Sequence, residues 1–290
     1  MQDKKLGIRD VQIHRPGGTQ PVPDRVAVEE PMEVRVNGAP FAVIMRTPGA
    51  DHDLAAGFLL AEDVIRSADE IGAINDDGPD NTINVTVQGD AVARLEVRLG
   101  DRRQVMMTSS CGLCGRRTIE SLRARVSAVA GVWTVPASVI ASLPEKLRAT
   151  QDVFASTGGL HAAGLFDLSG VLQLSAEDVG RHNAVDKIAG RMLRDGRHPL
   201  DDRLLLVSGR TSFELVQKAL LAGVPLIAAV SAPSSLAIDL ATEAGITLCG
   251  FVRGDTFNIY SHPHRIGVCP PIPPNGAPVT GRNMPCCLEP

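Results

Sequence analysis

The sequence predicts an α/β protein in which a largely parallel or mixed sheet, covered by helices, follows a more β-rich amino-terminal half. Three observations carry this expectation. Short apolar strands at 204–207, 226–230 and 246–252 alternate with helical stretches at 213–221 and 236–244, and Gly209, Gly223 and Gly245 punctuate the turns. Strands alternating with helices in this rhythm build a sheet with helical crossovers. The first hundred residues instead carry paired β-rich runs separated by turn residues. With 290 residues, 44% of them hydrophobic and 3% aromatic, the chain can bury a sizeable core built chiefly from Leu, Val, Ile and Ala.

Taken in order, residues 1–25 hold Pro16, Gly17, Gly18, Pro21 and Pro23 without a core pattern and read as a flexible leader. Runs 32–36 and 41–45 are joined through Asn37-Gly38, a strong hairpin signal. Residues 53–60 place apolar side chains at helical spacing, with Asp53 suited to cap the helix. Runs 82–87 and 92–99 alternate apolar and polar residues around Gly89-Asp90 and read as a second hairpin. A strand at 104–107 leads into Cys111-Gly112-Leu113-Cys114-Gly115; Ile119, Leu122 and Val126 mark a helix after it, and a further helix spans 137–154. The final residues, 268–290, are rich in proline and read as a disordered tail. The chain thus divides into a leader (1–25), a β-rich part ending with the cysteine pair and its helix (26–135), an α/β core part (136–267) and the tail (268–290).

Composition excludes several classes. The formal net charge of −4 gives no general pull toward nucleic acid or an anionic membrane. Few aromatics leave no stacking platform for single strands. The start of the chain lacks the apolar stretch of a secretory signal, and the longest apolar run, 219–232, is broken by Gly223 and Pro225. These features place the protein in the cytoplasm, where thiols are kept reduced. A cysteine pair there is more often catalytic or metal-binding than a structural staple.

The pair Cys111 and Cys114 is flanked by glycines and followed by Arg116 and Arg117. A helix starting after Cys114 adds its own positive end, and both effects favour thiolate, the form that attacks sulfur or binds metal. Structural zinc usually takes four ligands, and Cys249, Cys269, Cys286 and Cys287 form no second pair of this spacing. The residues therefore favour a reactive thiol over zinc. They leave disulfide exchange and sulfur transfer both open.

A second constellation runs from Phe154 through Gly158-Gly159-Leu160-His161, followed by Glu177-Asp178-Val179-Gly180-Arg181-His182-Asn183 and on to Asp186-Lys187. Two acids, a guanidinium and an imidazole near a helix start mark an active-site rim, although a solvated helix start has the same composition. Ser208-Gly209-Arg210-Thr211-Ser212 and Ala232-Pro233-Ser234-Ser235 each join a strand to a helix, where backbone N–H groups can bind an anion or a hydroxyl can simply cap the helix. Neither is a Walker motif. Two in succession suggest a phosphate-bearing ligand. After the last apolar strand, Arg253 is suited to phosphate and Asp255 to a guanine edge, while Gly254 alone is consistent with a plain turn.

With these pieces in order, the chain resembles the FdhD family, accessory sulfur carriers required for active formate dehydrogenase. The resemblance spans about residues 28–266. It rests on Glu29-Glu30-Pro31, Met45-Arg46-Thr47-Pro48-Gly49, Asp53-Leu54-Ala55-Ala56-Gly57-Phe58-Leu59, Ser109-Ser110-Cys111-Gly112-Leu113-Cys114-Gly115, Thr157-Gly158-Gly159-Leu160-His161, Glu177-Asp178-Val179-Gly180-Arg181-His182-Asn183-Ala184, Ser208-Gly209-Arg210, Ser231-Ala232-Pro233-Ser234-Ser235 and Gly250-Phe251-Val252-Arg253-Gly254. The resemblance implies a sulfurtransferase that takes persulfide sulfur from a cysteine desulfurase. It passes that sulfur to the metal of a molybdenum or tungsten bis(molybdopterin guanine dinucleotide) cofactor, bound as a substrate, for formate dehydrogenase. It implies Cys111 as the persulfide carrier and Cys114 as its companion. Cofactor contacts would fall at Phe251, Val252, Arg253, Gly254, Asp255 and Thr256, with no permanently bound metal. It further implies a three-layer α/β/α fold with a mixed sheet, like that of cytidine deaminases, and a homodimer. The deaminase zinc signature itself is missing, since neither His161 nor His182 is followed two residues later by Glu and no Pro precedes Cys111. The competing expectation is a chaperone that binds the cofactor and docks the dehydrogenase without sulfur chemistry.

Overall fold

In the computed structural model, residues 7–13, 20–78, 81–102, 129 and 131–267 are described. A short ribbon pairs β1 (Ile8–Ile13) with β2 (Val22–Ala27) antiparallel, so the segment expected as a loose leader contributes strands. A four-stranded sheet follows, built from β3 (Glu30–Val36), β4 (Ala39–Arg46), β5 (Ile71–Asp76) and β6 (Thr82–Val87) in the order β4-β3-β6-β5. The Asn37-Gly38 hairpin forms as expected, with φ of 51° and 79° at its two turn residues, the left-handed pair that matches strand twist.

The second expected hairpin does not form. Residues 90–102 are instead helix α2 (Asp90–Arg102). Strand β6 already lies between β3 and β5, which leaves it no free edge for a hairpin partner. Helical spacing also explains burial better: Ala91 and Leu95, four apart, are buried while Val97 is 62% exposed, whereas a strand would put Leu95 and Val97 on one face.

Helix α1 (Asp51–Ala61) is buried along nearly its whole length, as expected of a helix apolar on all sides. Its cap is Ala50, at φ 55°, rather than Asp53. Asp53 instead reaches Arg194 on helix α5 (Arg181–Arg194). The two helices cross at glycines. A Cβ on Gly57 would lie 1.9 Å from the Asp186 carbonyl oxygen, and one on Gly190 would lie 1.9 Å from that of Asp53.

The expected helix over 137–154 is two helices, α3 (Ala137–Arg148) and α4 (Asp152–Thr157), with Gln151 in a non-helical conformation between them. The carboxy-terminal half is a six-stranded mixed sheet formed by β8 (His161–Phe166), β9 (Leu172–Asp178), β10 (Leu204–Val207), β11 (Leu226–Ala229), β12 (Thr247–Arg253) and β13 (Thr256–Ser261). Their order is β13-β12-β11-β10-β8-β9; β10, β11 and β12 are parallel, β8 and β13 run against them, and β9, antiparallel to β8, runs with them. The short strands β7 (Val135–Pro136) and β14 (Ile266–Gly267) pair parallel to each other.

Side-chain alternation assigns the faces. Leu205, Val207, Ile227, Ala229 and Leu248 join α5, α6 (Phe213–Leu221) and α7 (Ser235–Glu243) on one side. Leu204, Leu206, Leu226, Ala228 and Val252 meet Ile140, Leu143 and Leu147 of α3 on the other. This is the expected three-layer α/β/α arrangement. The first of these cores also takes in Met32, Val34, Ile83 and Val85 from the four-stranded sheet, so one apolar core spans both halves of the chain. Among the described residues, no helix is long and apolar enough to cross a membrane.

The glycine crossing makes a testable demand. Gly190→Ala should destabilise the protein by about 3 kcal/mol in urea unfolding, because backbone must shift to admit the methyl group. Gly100→Ala, where a Cβ meets nothing within 4 Å, should be neutral or stabilising by up to about 1 kcal/mol.

Candidate functional site: the carboxy-terminal edge of the six-stranded sheet

Because β10, β11 and β12 point the same way, the loops that leave them collect at one edge. This is where open α/β sheets bind ligands. Strand β8 runs the other way and therefore begins there, with His161 beside the end of β10, and β9 ends there at Asp178. Helices α5, α6 and α7 all start at the same edge.

The two strand-to-helix loops are zipped to each other. The Thr211 amide donates to the Ala232 carbonyl at 3.1 Å, and the Ser234 amide donates to the Thr211 carbonyl at 2.9 Å. Ser234 caps its own helix, accepting from the Ala237 amide at 3.3 Å. Ser212 does not cap; its hydroxyl lies 3.3 Å from His182 Nε2. The second loop therefore serves structure, whereas the first presents Arg210 at the exposed rim.

His161 is half-buried at this rim. Gly209 lets it in: a Cβ there would sit 3.2 Å from the imidazole Nδ1. Burial, then the Arg181 and Arg210 charges, hold His161 below its ordinary pKa, with Asp178 opposing. A neutral imidazole thus sits among guanidinium groups. The buried Nε of Arg181 has no hydrogen-bond partner among the described residues. Donors left open in this way suit an anionic ligand.

The acids of the second constellation do different work. Glu177 accepts from the amides of Val153 and Phe154 at 3.1 and 2.8 Å, holding the start of α4. Asp178, fully buried, accepts from the Thr47 and Gly180 amides and from Asn183 Nδ2, and pairs with Lys187 at 2.8 Å. Lys187 also donates to the Thr47 carbonyl at 2.9 Å. Arg46, 1% exposed, clasps Asp51 with two hydrogen bonds and reaches Asn81. These charges lock the loop after β4 to the start of α5.

Beneath the rim, His182 and Glu214 face each other at 3.3 Å. Desolvation lowers His182 to about 3, reinforced by Arg181, Lys218 and His161, while desolvation raises Glu214 to about 7 against the pull of Lys218. Asp186 and Lys218 form a buried ion pair at 2.8 Å beside them.

The cofactor-binding segment expected from the resemblance lies on the same edge. The Phe251 amide donates to the Ser231 carbonyl at 3.2 Å, and Arg253 Nε reaches the Val230 carbonyl at 3.4 Å with its guanidinium 5.9 Å from the Phe251 ring. Phe251, Arg253, Asp255 and Thr256 are exposed, and Gly254 makes the turn at φ 52°. Val252 is buried in the core, so its side chain is not a ligand contact. Cys249 is buried too, and burial pushes its thiol up to about 12, away from the thiolate form that a nucleophile needs. Cys111 and Cys114 lie outside the described residues, as do the strand at 104–107, the helix marked by Ile119 and the tail after 267.

A cavity of about 570 Å³ opens beside the rim, lined by Arg148, Gln151, Phe154, His161, Ser208 and Val230 among others. Sequence reasoning missed its outer wall, because a single helix over 137–154 hid the break at Gln151. The polar run Thr150-Gln151-Asp152, with an acid suited to a new helix start, was the available signal.

A family model described as the FdhD/NarQ family matches residues 27–267. The chain belongs to this family. Two sulfur carrier proteins FdhD are similar over most of their length: that of Streptomyces avermitilis is 49% identical over 88% of this chain and 93% of its own. That of Nocardia farcinica is 50% identical over 84% and 88%. A crystal structure from Desulfotalea psychrophila, assigned as a formate dehydrogenase accessory protein, matches with a TM-score of 0.71 at 27% identity, covering 89% of this chain and 98% of its own. The span shared with the FdhD/NarQ model includes both the cysteine pair and the whole rim.

The paired shifts of His182 and Glu214 predict a pH signature. Glu214, raised from 4.5, stabilises the fold at low pH and loses that contribution as pH rises from about 4.5 through about 7. His182, lowered from 6.5, stabilises at high pH and loses its contribution as pH falls from about 6.5 through about 3. Between about 4.5 and 6.5 the two slopes oppose each other. In urea unfolding across that window, Glu214→Gln should make stability rise with pH relative to wild type, and His182→Gln should make it fall.

Proposed function

We propose that this protein is a cytoplasmic sulfur carrier for formate dehydrogenase, a sulfurtransferase that takes sulfur from a cysteine desulfurase. It delivers that sulfur to the metal of a molybdenum or tungsten bis(molybdopterin guanine dinucleotide) cofactor, bound as substrate, and works as a homodimer. In the first step the Cys111 thiolate attacks the outer sulfur of the donor's persulfide. The donor S–S bond breaks, its cysteine leaves as thiolate, and an S–S bond forms on Cys111 with no net oxidation. Delivery breaks that S–S bond: attack of the Cys114 thiolate on Cys111 Sγ would release the carried sulfur at the sulfide level for the cofactor metal and leave a Cys111–Cys114 disulfide, which a cellular thiol then reduces. Arg210 and Arg253 hold the cofactor's phosphates, and Asp255 meets a guanine edge.

The observation that carries this reading is the similarity, near 50% over most of the chain, to proteins named sulfur carriers, across a span that contains Cys111 and Cys114. The rim supports it independently. A guanidinium with an open donor, a neutral imidazole and an exposed arginine suit a substrate that carries phosphates. The same rim also supports a cofactor-binding chaperone without thiol chemistry, and the cysteines discriminate the two.

Incubation with a cysteine desulfurase and cysteine should add one sulfur by mass spectrometry, located on Cys111 and lost in Cys111→Ala. An adduct pattern unchanged in that variant contradicts the carrier role. Activation of formate dehydrogenase by a Cys111→Ala, Cys114→Ala double variant would establish the chaperone instead.

A further inference from the structure

Beneath the rim lies a buried carboxyl group that the sulfur chemistry does not use. Glu214 sits in the first turn of α6 with its side chain 12% exposed, and its ion-pair partner among the described residues is the His182 imidazole, at 3.3 Å. The cation nearby is already engaged, since Lys218 donates to both carboxylate oxygens of Asp186, at 2.9 and 2.8 Å. A buried carboxylate without a cation of its own takes up a proton instead. Burial accordingly raises Glu214 to about 7; Asp186 and Glu62 push the same way, and Lys218 and Arg181 oppose. His182 Nε2 also lies 3.3 Å from the Ser212 hydroxyl, so the pair ties the first turn of α5 to the start of α6.

Above the pair stands a guanidinium with an open donor. Arg181 precedes His182 in the chain, and its buried Nε has no hydrogen-bond partner among the described residues. A Cβ on Gly209 would lie 3.2 Å from His161 Nδ1 and 4.0 Å from Arg181 Cδ, so the imidazole and the arginine stem flank one glycine at the rim. The groups facing the pair are therefore Arg181 and Asp186 on α5, Lys218 on α6, His161 on β8 and Glu62 at the end of α1. Among them Arg181 reaches both members and the rim. Its charge disfavours imidazolium on His182 and favours carboxylate on Glu214, so it holds the proton off both. An anion seated on Arg181 cancels that influence.

We propose that His182 and Glu214 form a proton switch coupled to the rim: when an anion occupies Arg181, Glu214 takes up one proton from solvent, and loss of that proton loosens the anion. In the deprotonated state the imidazole Nε2–H donates to the carboxylate. Proton uptake forms a carboxyl O–H that donates to Nε2, and the ring proton then sits on Nδ1. No electrons move. Linkage is reciprocal, so the rim holds an anion more tightly below about pH 7 than above it. This rests on the proposed function in taking the rim as the place of an anionic substrate, and it adds control over that substrate's release.

Sulfate is the probe, because it remains a dianion throughout the range and brings no proton of its own. Infrared difference spectra of the full-length protein, wild type minus Glu214→Gln, isolate the C=O stretch of the Glu214 carboxylic acid. That band should fade as pH rises through about 7. Sulfate, compared with chloride at equal ionic strength, should carry the midpoint up by roughly one pH unit. In an Arg181→Gln background the sulfate effect should vanish. Thermal unfolding establishes that each variant is folded. In wild type alone, NMR of isotope-labelled histidine reports the same event, since His182 Nε2 changes from N–H donor to acceptor across the same midpoint. A Glu214 that stays ionised down to the ordinary carboxylate range, or a wild-type midpoint that sulfate leaves unmoved, overturns the switch. Sulfur loading on Cys111 is measured separately. Its absence, with the sulfate-dependent midpoint intact, would remove the sulfur route and leave the switch standing.

Discussion

At the crossing of α1 and α5 the two backbones come so close that one methyl group at either glycine would strike the opposite helix. That approach is the constraint on which the rest of the structure depends. It brings α1, which carries the four-stranded sheet, against α5, which covers the six-stranded one, and merges their apolar faces into a single core. It also sets the height at which α5 begins. Arg181 and His182, in the first turn of α5, reach the rim because Gly190, two turns further on, fixes the helix against Asp53.

Buried charges then fix the rotation of that helix. Asp178 and Lys187 tie its start to Thr47, and Asp186 and Lys218 tie its middle to α6. Buried pairs of this kind add little net stability over well-packed apolar residues, but breaking one costs several kcal/mol. Their effect here is geometric. They hold one arrangement in which Gly209 admits His161, Arg181 lies close by with its Nε unpartnered among the described residues, and the cavity reaches His161.

Much of this was legible in the sequence, for physical reasons. The parallel strands and α6 follow directly from apolar runs broken by glycine, and Asn37-Gly38 announces its hairpin because the turn itself needs those residues. Residues 92–99 misled, since Leu95, Val97 and Leu99 satisfy a period of two while Ala91 and Leu95 satisfy a helix. Only the occupied edges of β6 decide between them. The acids of the Glu177-Asp178 motif looked reactive because sequence shows charge but not its partner; for Asp178, Thr47 supplies a partner from far along the chain and Lys187 one from the second turn of α5. The family motifs around Glu30, Arg46 and Asp53 likewise prove to be scaffolding for the rim.

The central claim is that one cooperative core, closed at the glycine crossing, positions the rim. Native-state hydrogen exchange tests it most directly, comparing amides of Met32, Val34 and Val85 in the four-stranded sheet with those of Leu205, Leu206 and Ile227 in the six-stranded one. The account predicts that the most protected amides of both sheets open with the same free energy, equal to that of global unfolding. A four-stranded sheet that exchanges through its own, lower-energy opening would contradict it.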